Sequence, residues 1–590
     1  MHRRMFARRL FRPATRLFLP LAVVALMAIP NLAFAQGKTT KPAATSPSQN
    51  PICQKVGKTL QLSSGGRMWC LGPQNGSGSS TIRHSITPKP PISGQFSANV
   101  NAANPAEDIS PSGVVAYGQS ETSVARFGND VLEAWNDSTG FFSSCGSPNF
   151  KEELTGFGFS SDGGATFTDM GGLPNNRCGT NILSGDPSVE VWAPGGRVTF
   201  YVSSLYPSQT GDGLNYIGLN VCQLSGSIVN CGFPILMAAS SQCEVFDGFS
   251  FCSFPDKDFL SIDPVRGRLY VSYTDFRFDS NGAIDLGMCD IGTPSGGIGP
   301  AGGTAVNPVC EGVPADTTTG ADGAPYLNIA TSFGCNELEG AYPAVDPGRG
   351  SIYVAYEDNW ATNLFGCNQP TFNQMTFTAK SCLTVTPTSP CHHATRTNGV
   401  TITSMASAFI PGYNRFPMND FPRVAFSKKY QTISMVWNDG RFHPTGDILM
   451  QSFTAVHIKP VCCGPIQLNS DVGGWNFMPA TRQADNNGNI NVLWYQRASG
   501  NTAVTYVVAA ISVNPKTTST PAANYLVTDA TSDWNAVSSD IIPNFGDYTD
   551  LYLTSNCVNG TYSYLGQINA AWSDGRIGVP QPFYASGSDS

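Results

Sequence analysis

A chain of 590 residues, 41% hydrophobic and only 13% charged, carries enough apolar material for a large buried core, and its formal charge of −8 argues against a nucleic-acid partner. Residues 1–35 read as a signal peptide, with six arginines, no acid, an apolar run from Leu17 to Leu26 and Ala33-Phe34-Ala35 before the cut. Its removal lowers Lys+Arg from 34 to 28 against 42 acids, a net charge of −14, and the apolar run is too short for a membrane span. The mature chain is therefore expected to be secreted, periplasmic or on the cell surface.

Residues 36–95 read as linker sequence, Thr39 to Pro47 and Gly76 to Pro91, around a small module closed by Cys53 and Cys70. From residue 96 the chain repeats one pattern: an acidic or polar head, an apolar run, a tight turn, then a second apolar run ending in an aromatic residue. The heads are Glu121, Asp186, Asp258, Glu339, Asp420, Asn476 and Asp547; the closing aromatics are Trp135, Tyr201, Tyr273, Tyr356, Trp437, Trp494 and Trp572. Turn residues such as Gly128-Asn129-Asp130, Asp263-Pro264 and Asp346-Pro347-Gly348 make each unit an antiparallel hairpin. The long, uneven period leaves room for two more strands per unit, among them 217–221, 447–453 and 504–508.

Repeated four-stranded units predict an all-β fold, a β-propeller over 96–590 with seven blades; six blades with one decorated repeat is the alternative count. Only eighteen residues follow Trp572, so the last blade lacks a strand. Phe96 to Asn101 is expected to supply it and close the ring.

All seventeen cysteines follow residue 35, and most form sequence-near couples: 53/70, 145/178, 222/231, 243/252, 289/310, 335/367 and 382/391, with Cys462, Cys463 and Cys557 left over. Disulfides stapling hairpins and insertions are the expectation for an exported chain. Cys391-His392-His393 lacks zinc spacing, so no metal ligand set is predicted. No cofactor is predicted either, although an oxygen-rich acidic rim suits calcium.

Ser160, Asp162, Gly164, Thr166 and Phe167 form a Ser-x-Asp-x-Gly-x-Thr-aromatic motif that resembles the Asp-box of sialidase-like propellers and their BNR-repeat relatives. Repeat wording such as Asp258-Phe259-Leu260-Ser261-Ile262-Asp263-Pro264 is similar to that of bacterial secreted members. The resemblance implies a propeller in which the box lies on a turn away from the active face. For members that cleave sialic acid it also implies three arginines, a Tyr nucleophile assisted by Glu, and an Asp acid. The family's Phe-Arg-Ile-Pro motif is absent, unit one having only Val124-Ala125-Arg126-Phe127.

Propeller topology gathers strand heads and the loops after the second strands on one face, where a funnel is expected. Candidate catalytic acids are Asp186, Asp258, Asp420 and Asp547. Candidate substrate-binding residues are Arg277, Arg441 and Arg576 with the loop acids Asp137, Asp275, Asp358, Asp439 and Asp574. Carboxylates, guanidiniums and nearby aromatics suit a carbohydrate or peptide cleft; the same acids would equally cap loops or pair across blades. Three functions follow: a glycoside hydrolase or polysaccharide lyase on an extracellular glycan, a non-catalytic propeller binding glycan or a surface protein, and a structural surface protein.

Overall fold

The computed structural model describes residues 46–55, 62–71, 92–109, 113, 117–141, 151–211, 213–280, 282–332, 337–358, 374–381, 393–401, 405, 409–415, 418, 421–461, 464–471, 474–497, 503–519, 521, 523–555 and 563–589. Residues 1–35, read above as a signal peptide, residues 76–91, Asp420, and cysteines 145, 335, 367, 382, 391, 462, 463 and 557 lie outside them.

The chain forms a β-propeller. Among the described residues the strands make one eight-stranded sheet, three five-stranded sheets, two four-stranded sheets and one two-stranded ribbon. The inner strands, in chain order, are Gln119–Phe127, Ser188–Trp192, Phe254–Asp263, Leu338–Asp346, Arg423–Ser427, Asn476–Ala480 and Asp550–Ser555. Side-chain hydroxyls tie neighbouring inner strands together. The Val189 amide donates to Ser123 Oγ (3.0 Å), Ser123 Oγ donates to Asp550 Oδ2 (2.7 Å), and the Leu260 amide donates to Ser188 Oγ (2.9 Å).

Each sheet grows outward because its hairpin turns are chemically specified. Between Phe254–Asp263 and Arg268–Phe276, Asp263 Oδ1 accepts the Val265 and Arg266 amides, both at 3.1 Å, while Gly267 adopts φ +62°. Asp346 does the same for the Gly348 and Arg349 amides at 2.9 and 3.1 Å. Arg266 Nη1 then reaches the Pro347 carbonyl, 2.9 Å away, so one turn braces the next.

The core lies between sheets. Trp135, Trp437, Trp494 and Trp572, which close four of the sequence units, are fully buried, and one apolar cluster joins Val124 and Leu132 to Val191, Phe200, Tyr552 and Tyr584 of the adjoining sheets. Burial on this scale, at ~25 cal/mol per Å² of apolar surface, is what drives the sheets together.

The ring is closed by the N-terminal segment. Val100–Asn101 pairs antiparallel with Tyr584 and Phe583 on the outermost strand of the last sheet, and the Ser97 amide donates to the Ser586 carbonyl at 2.7 Å. That sheet and the first are continuous through a parallel bridge between Phe127 and Ser555.

The Ser160 to Phe167 turn sits at this seam. Asp162 accepts the Thr166 amide (2.9 Å) and hydroxyl (2.7 Å), and Ser160 Oγ receives the Gly164 amide (2.9 Å). The Thr166 bonds hold the Asp162 carboxyl down to about 2. Phe167 meets Tyr584 of the last sheet edge-on, with ring centroids 5.3 Å apart. Gly164, at φ +87°, packs its α-carbon against that Tyr584 ring, leaving no room for a β-carbon. Gly164→Ala is therefore expected to destabilise the fold by about 2 kcal/mol, from left-handed strain and overpacking together, read as a lower urea midpoint.

Four disulfides are present among the described residues: Cys53–Cys70, Cys222–Cys231, Cys243–Cys252 and Cys289–Cys310. Three of them staple outer strands or a hairpin, and such bonds fit an oxidising compartment. No helix of the described residues is long and apolar enough to cross a membrane.

Candidate functional site: a charged axial well

The heads of the inner strands are bulged rather than straight. Pairing slips between Ser120 and Ser123, Asp256 and Phe259, Glu339 and Tyr342, and Phe477 and Ala480. Inside these slips Glu121, Lys257, Gly340 and Met478 take φ of +54°, +55°, +68° and +53°, and Asp186, just ahead of its strand, takes +53°. A bulge turns a side chain that period-2 alternation would send elsewhere. Here it aims charged groups at the propeller axis.

The resulting cluster is almost wholly buried. Arg415, from the segment between two sheets, donates Nη1 to both carboxylate oxygens of Asp547 at 2.7 Å. Lys257 Nζ pairs with Asp256 at 3.1 Å and Glu339 at 2.5 Å, all three side chains being fully buried. Glu121 accepts the Asp547 amide (2.9 Å) and the Asn136 side-chain amide (2.5 Å), and Asp186 bonds both Glu121 and Ser63. Burial pushes the Asp258 carboxyl up to about 8 and Glu339 to about 7, the latter against the pull of Lys257. Asp186 is raised well above the usual range, first by burial and then by Glu121 and Asp256. Tyr548 lies beside Asp186, Glu121, Asp258 and Asp547, and burial with their charge raises its phenol.

Below this layer Arg423 lies among the rings of Phe259 (4.6 Å), Tyr342 (4.7 Å) and Tyr548 (5.8 Å). Deeper still, Arg482 bonds Asp550 (3.0 Å), Ser188 Oγ (3.2 Å) and the carbonyls of Leu260 (3.3 Å) and Val124 (3.4 Å). It also faces Glu190 at 3.6 Å, whose carboxyl burial lifts to about 7. Arg482 and Glu190 line a cavity of about 740 Å³ whose walls include the turn residues Pro264, Pro347, Lys428 and Asn486.

This cavity belongs to the hairpin-turn face, whereas the sequence placed an open funnel at the strand heads. The reason is the Cys53–Cys70 module. Its helix Ser64–Leu71 and the residues before it pack against the strand heads: the Ser63 amide donates to Asp256 Oδ2 (2.7 Å), Trp69 stacks on Phe254 (4.5 Å), and Trp69 Nε1 donates to the Ser208 carbonyl (2.7 Å).

Of the acids named from sequence, the structure brings Asp186, Asp258 and Asp547 together on the axis with Glu121 and Glu339. The arginine set goes elsewhere, each held by carboxylates of its own or an adjoining sheet. Arg277 pairs with Asp285 (2.7 Å) and Asp275 (3.4 Å), Arg441 with Asp439 (2.5 Å), and Arg576 with Asp574 (2.8 Å) and Asp529 (2.5 Å). The loop acids cap local structure. Asp439 and Asp574 accept the indole N–H of the tryptophan two residues earlier, at 3.0 and 2.9 Å. Asp137 accepts the Thr139 amide (2.9 Å) and Asp275 the Ser253 hydroxyl (3.0 Å); Asp358 ends the strand Ser351–Asp358, half-buried. Among the described residues no group of three or more His, Cys, Asp or Glu is placed to hold a metal ion.

Comparison with known proteins yields no matching family model and no matching curated sequence. Solved structures with a related fold include a protein of unknown function from Dyadobacter fermentans (11% identity, TM-score 0.35, covering 70% of this chain and 97% of that one). A Trypanosoma rangeli sialidase with 2,3-difluorosialic acid gives 8% identity, TM-score 0.31, 83% of this chain and 57% of its own. An exo-β-1,3-galactanase from Phanerochaete chrysosporium gives 9%, 0.29, 83% and 96%. At such scores they bear on neither substrate nor mechanism.

Proposed function

We propose that the protein is an exported, seven-bladed propeller that acts on an extracellular glycan through the axial well, with glycosidic hydrolysis as its chemistry. A count of seven is supported by the parallel bridge of Phe127 with Ser555, which divides the eight-stranded sheet into two four-stranded arms. Export is supported by the disulfides and the leader-like residues 1–35.

The observation that carries the glycan reading is that three charged residues on left-handed backbone converge at the strand heads. Glu121, Asp186 and Lys257 all stand at positive φ and all aim at one well. A left-handed non-glycine residue costs about 1–3 kcal/mol, and such residues cluster where side-chain aim matters. The well supplies what hydrolysis needs: Asp258, protonated near neutrality, as proton donor, and the Asp547 carboxylate fixed by Arg415.

Binding without turnover is the second reading, favoured by Lys257 and Arg415, whose ion pairs already engage Asp256, Glu339 and Asp547. A glycan array paired with assays for reducing or unsaturated ends separates the two. Asp258→Asn is expected to lower turnover at least a hundredfold, the scale of general acid catalysis, with glycan affinity changed less than threefold. Binding without release would leave the second reading, and neither signal would remove the glycan assignment.

A further inference from the structure

We propose that the cavity on the hairpin-turn face is a second binding site, for an anionic amphiphile whose carboxylate is held by Lys428 and Lys429 at the mouth and whose aliphatic body lies against the walls inside. Such a ligand makes no use of the strand-head acids or of hydrolysis, so the site stands apart from the glycan reading.

The first ground is a built cavity. Its volume of about 740 Å³ falls within the ~300–1,000 Å³ of small-molecule sites. Its rim links five successive sheets end to end. Arg266 Nη1 donates to the Pro347 carbonyl (2.9 Å), Arg349 to the Gln431 side chain, Ser427 Oγ to the Gly488 carbonyl (2.7 Å), and the Tyr564 amide to Asn486 Oδ1 (3.1 Å). A rim braced in this way holds its shape before a ligand arrives, which lowers the ordering cost of binding. The second ground is the wall. Ile262, Val265, Ala344, Val345 and Ala484 give it aliphatic surface, and Val265 is kept 45% exposed at the edge. Aliphatic side chains of this kind suit an alkyl body, which gains ~25 cal/mol for each Å² of apolar surface taken from water.

The third ground is charge at the mouth. Lys428 and Lys429 are exposed, whereas Arg482 and Glu190 line the buried end. That end is already satisfied: Arg482 Nη1 bonds Asp550 and the Val124 carbonyl, Nη2 bonds Ser188 and the Leu260 carbonyl, and Nε faces Glu190. The turn acids are likewise engaged, Asp263 by Arg266 (2.9 Å) and Asp346 by Arg349 (3.1 Å), while among the described residues neither Lys428 nor Lys429 pairs with a carboxylate. Lys429 Nζ lies over the Tyr430 ring, 5.7 Å from its centroid. The wall acid it acts on, Asp485, accepts the Asn489 amide at 2.8 Å. Two ammonium groups thus stand against one carboxylate at this mouth, in a chain whose formal charge is −8, and an anion is what they favour.

The test is calorimetric titration of the full mature chain with decanoate, 1-decanol, decyltrimethylammonium and galacturonate, the first three sharing one chain length and kept below micelle formation. A single decanoate should bind per chain, about tenfold more tightly than decanol, the share of two lysine contacts, and more tightly still than the cationic amphiphile or the bare acidic sugar. Replacing both lysines, Lys428→Gln with Lys429→Gln, changes only exposed turn side chains; it should remove about tenfold of the decanoate affinity and leave decanol within about threefold. Val265→Glu, at the exposed edge, should weaken decanoate and strengthen the cationic amphiphile. Equal binding of decanoate and decanol, preference for the cation, or a decanoate affinity untouched by the lysine change would overturn the proposal. So would uptake of several equivalents, the mark of adsorption without a site, or no binding of decanoate. Galacturonate held as tightly as decanoate would place an acidic sugar at the lysines and overturn it as well.

Discussion

Replacing Arg482 by alanine is expected to destabilise the folded chain by about 3–5 kcal/mol, the cost of removing one partner from a buried ionic network. The guanidinium extends from just beyond the Asn476–Ala480 strand and bonds four other inner strands, at Val124, Ser188, Leu260 and Asp550. It also lies over the Tyr552 ring, 5.3 Å from its centroid. Alanine would leave Asp550 and Glu190 buried without the guanidinium that pairs with them. It would also extend the cavity of about 740 Å³ toward the axis. Lysine should recover only part of the loss, because a point charge cannot reproduce the planar fork that reaches several acceptors. The measurement is the urea midpoint at constant m-value; a shift worth under ~0.5 kcal/mol, the range of ordinary surface substitutions, would show that Arg482 does not hold the ring together.

Much of the architecture was legible because hairpins announce themselves locally. Asp263-Pro264 and Asp346-Pro347-Gly348 encode turns by side-chain capping, and the structure uses those same oxygens. The 96–101 segment was legible as the closing strand because the last repeat runs out of chain, and Val100 and Asn101 do pair with the final sheet.

The site was half legible. Alignment of repeats exposed Glu121, Asp186, Asp258, Glu339 and Asp547, but Asp256 and Lys257 were hidden by the bulge. Alternation alone cannot show a slip, and positive φ is signalled in sequence only by glycine, as at Gly340, not by Glu121, Lys257 or Met478. Arg415 comes from a segment outside every hairpin, so no repeat pointed to it. The arginines at 277, 441 and 576 were conspicuous for a different reason: each follows a capping Asp by two residues, and the regular spacing reflects one loop built three times.

The buried carboxyls also fix how stability depends on pH. The urea midpoint is expected to be highest near pH 4 and to fall steadily as pH rises to about 8. Burial lifts Asp285 to about 6, Asp108, Glu190 and Glu339 to about 7, and Asp258 to about 8. Their ordinary values are 3.8 for Asp and 4.5 for Glu. Between those limits the folded chain holds protons that the unfolded chain has released, so each such group costs about 1.4 kcal/mol of stability per pH unit. Their contribution is complete below the unfolded values and is lost as pH climbs through the folded ones. Asp162 acts in the opposite sense and in another window: held down to about 2 by Thr166, it favours the fold above 3.8 and loses that effect only as pH drops toward 2. The two trends place the maximum between them. Asp258→Asn sharpens the test, because Asp258 still holds its proton above pH 7; the variant's midpoint should fall less steeply than the parent's between pH 7 and 8. A midpoint that stays level or rises from pH 4 to 8 would mean that the axial carboxyls are ionised in the folded chain, and the assignment of Asp258 as proton donor would fall with it.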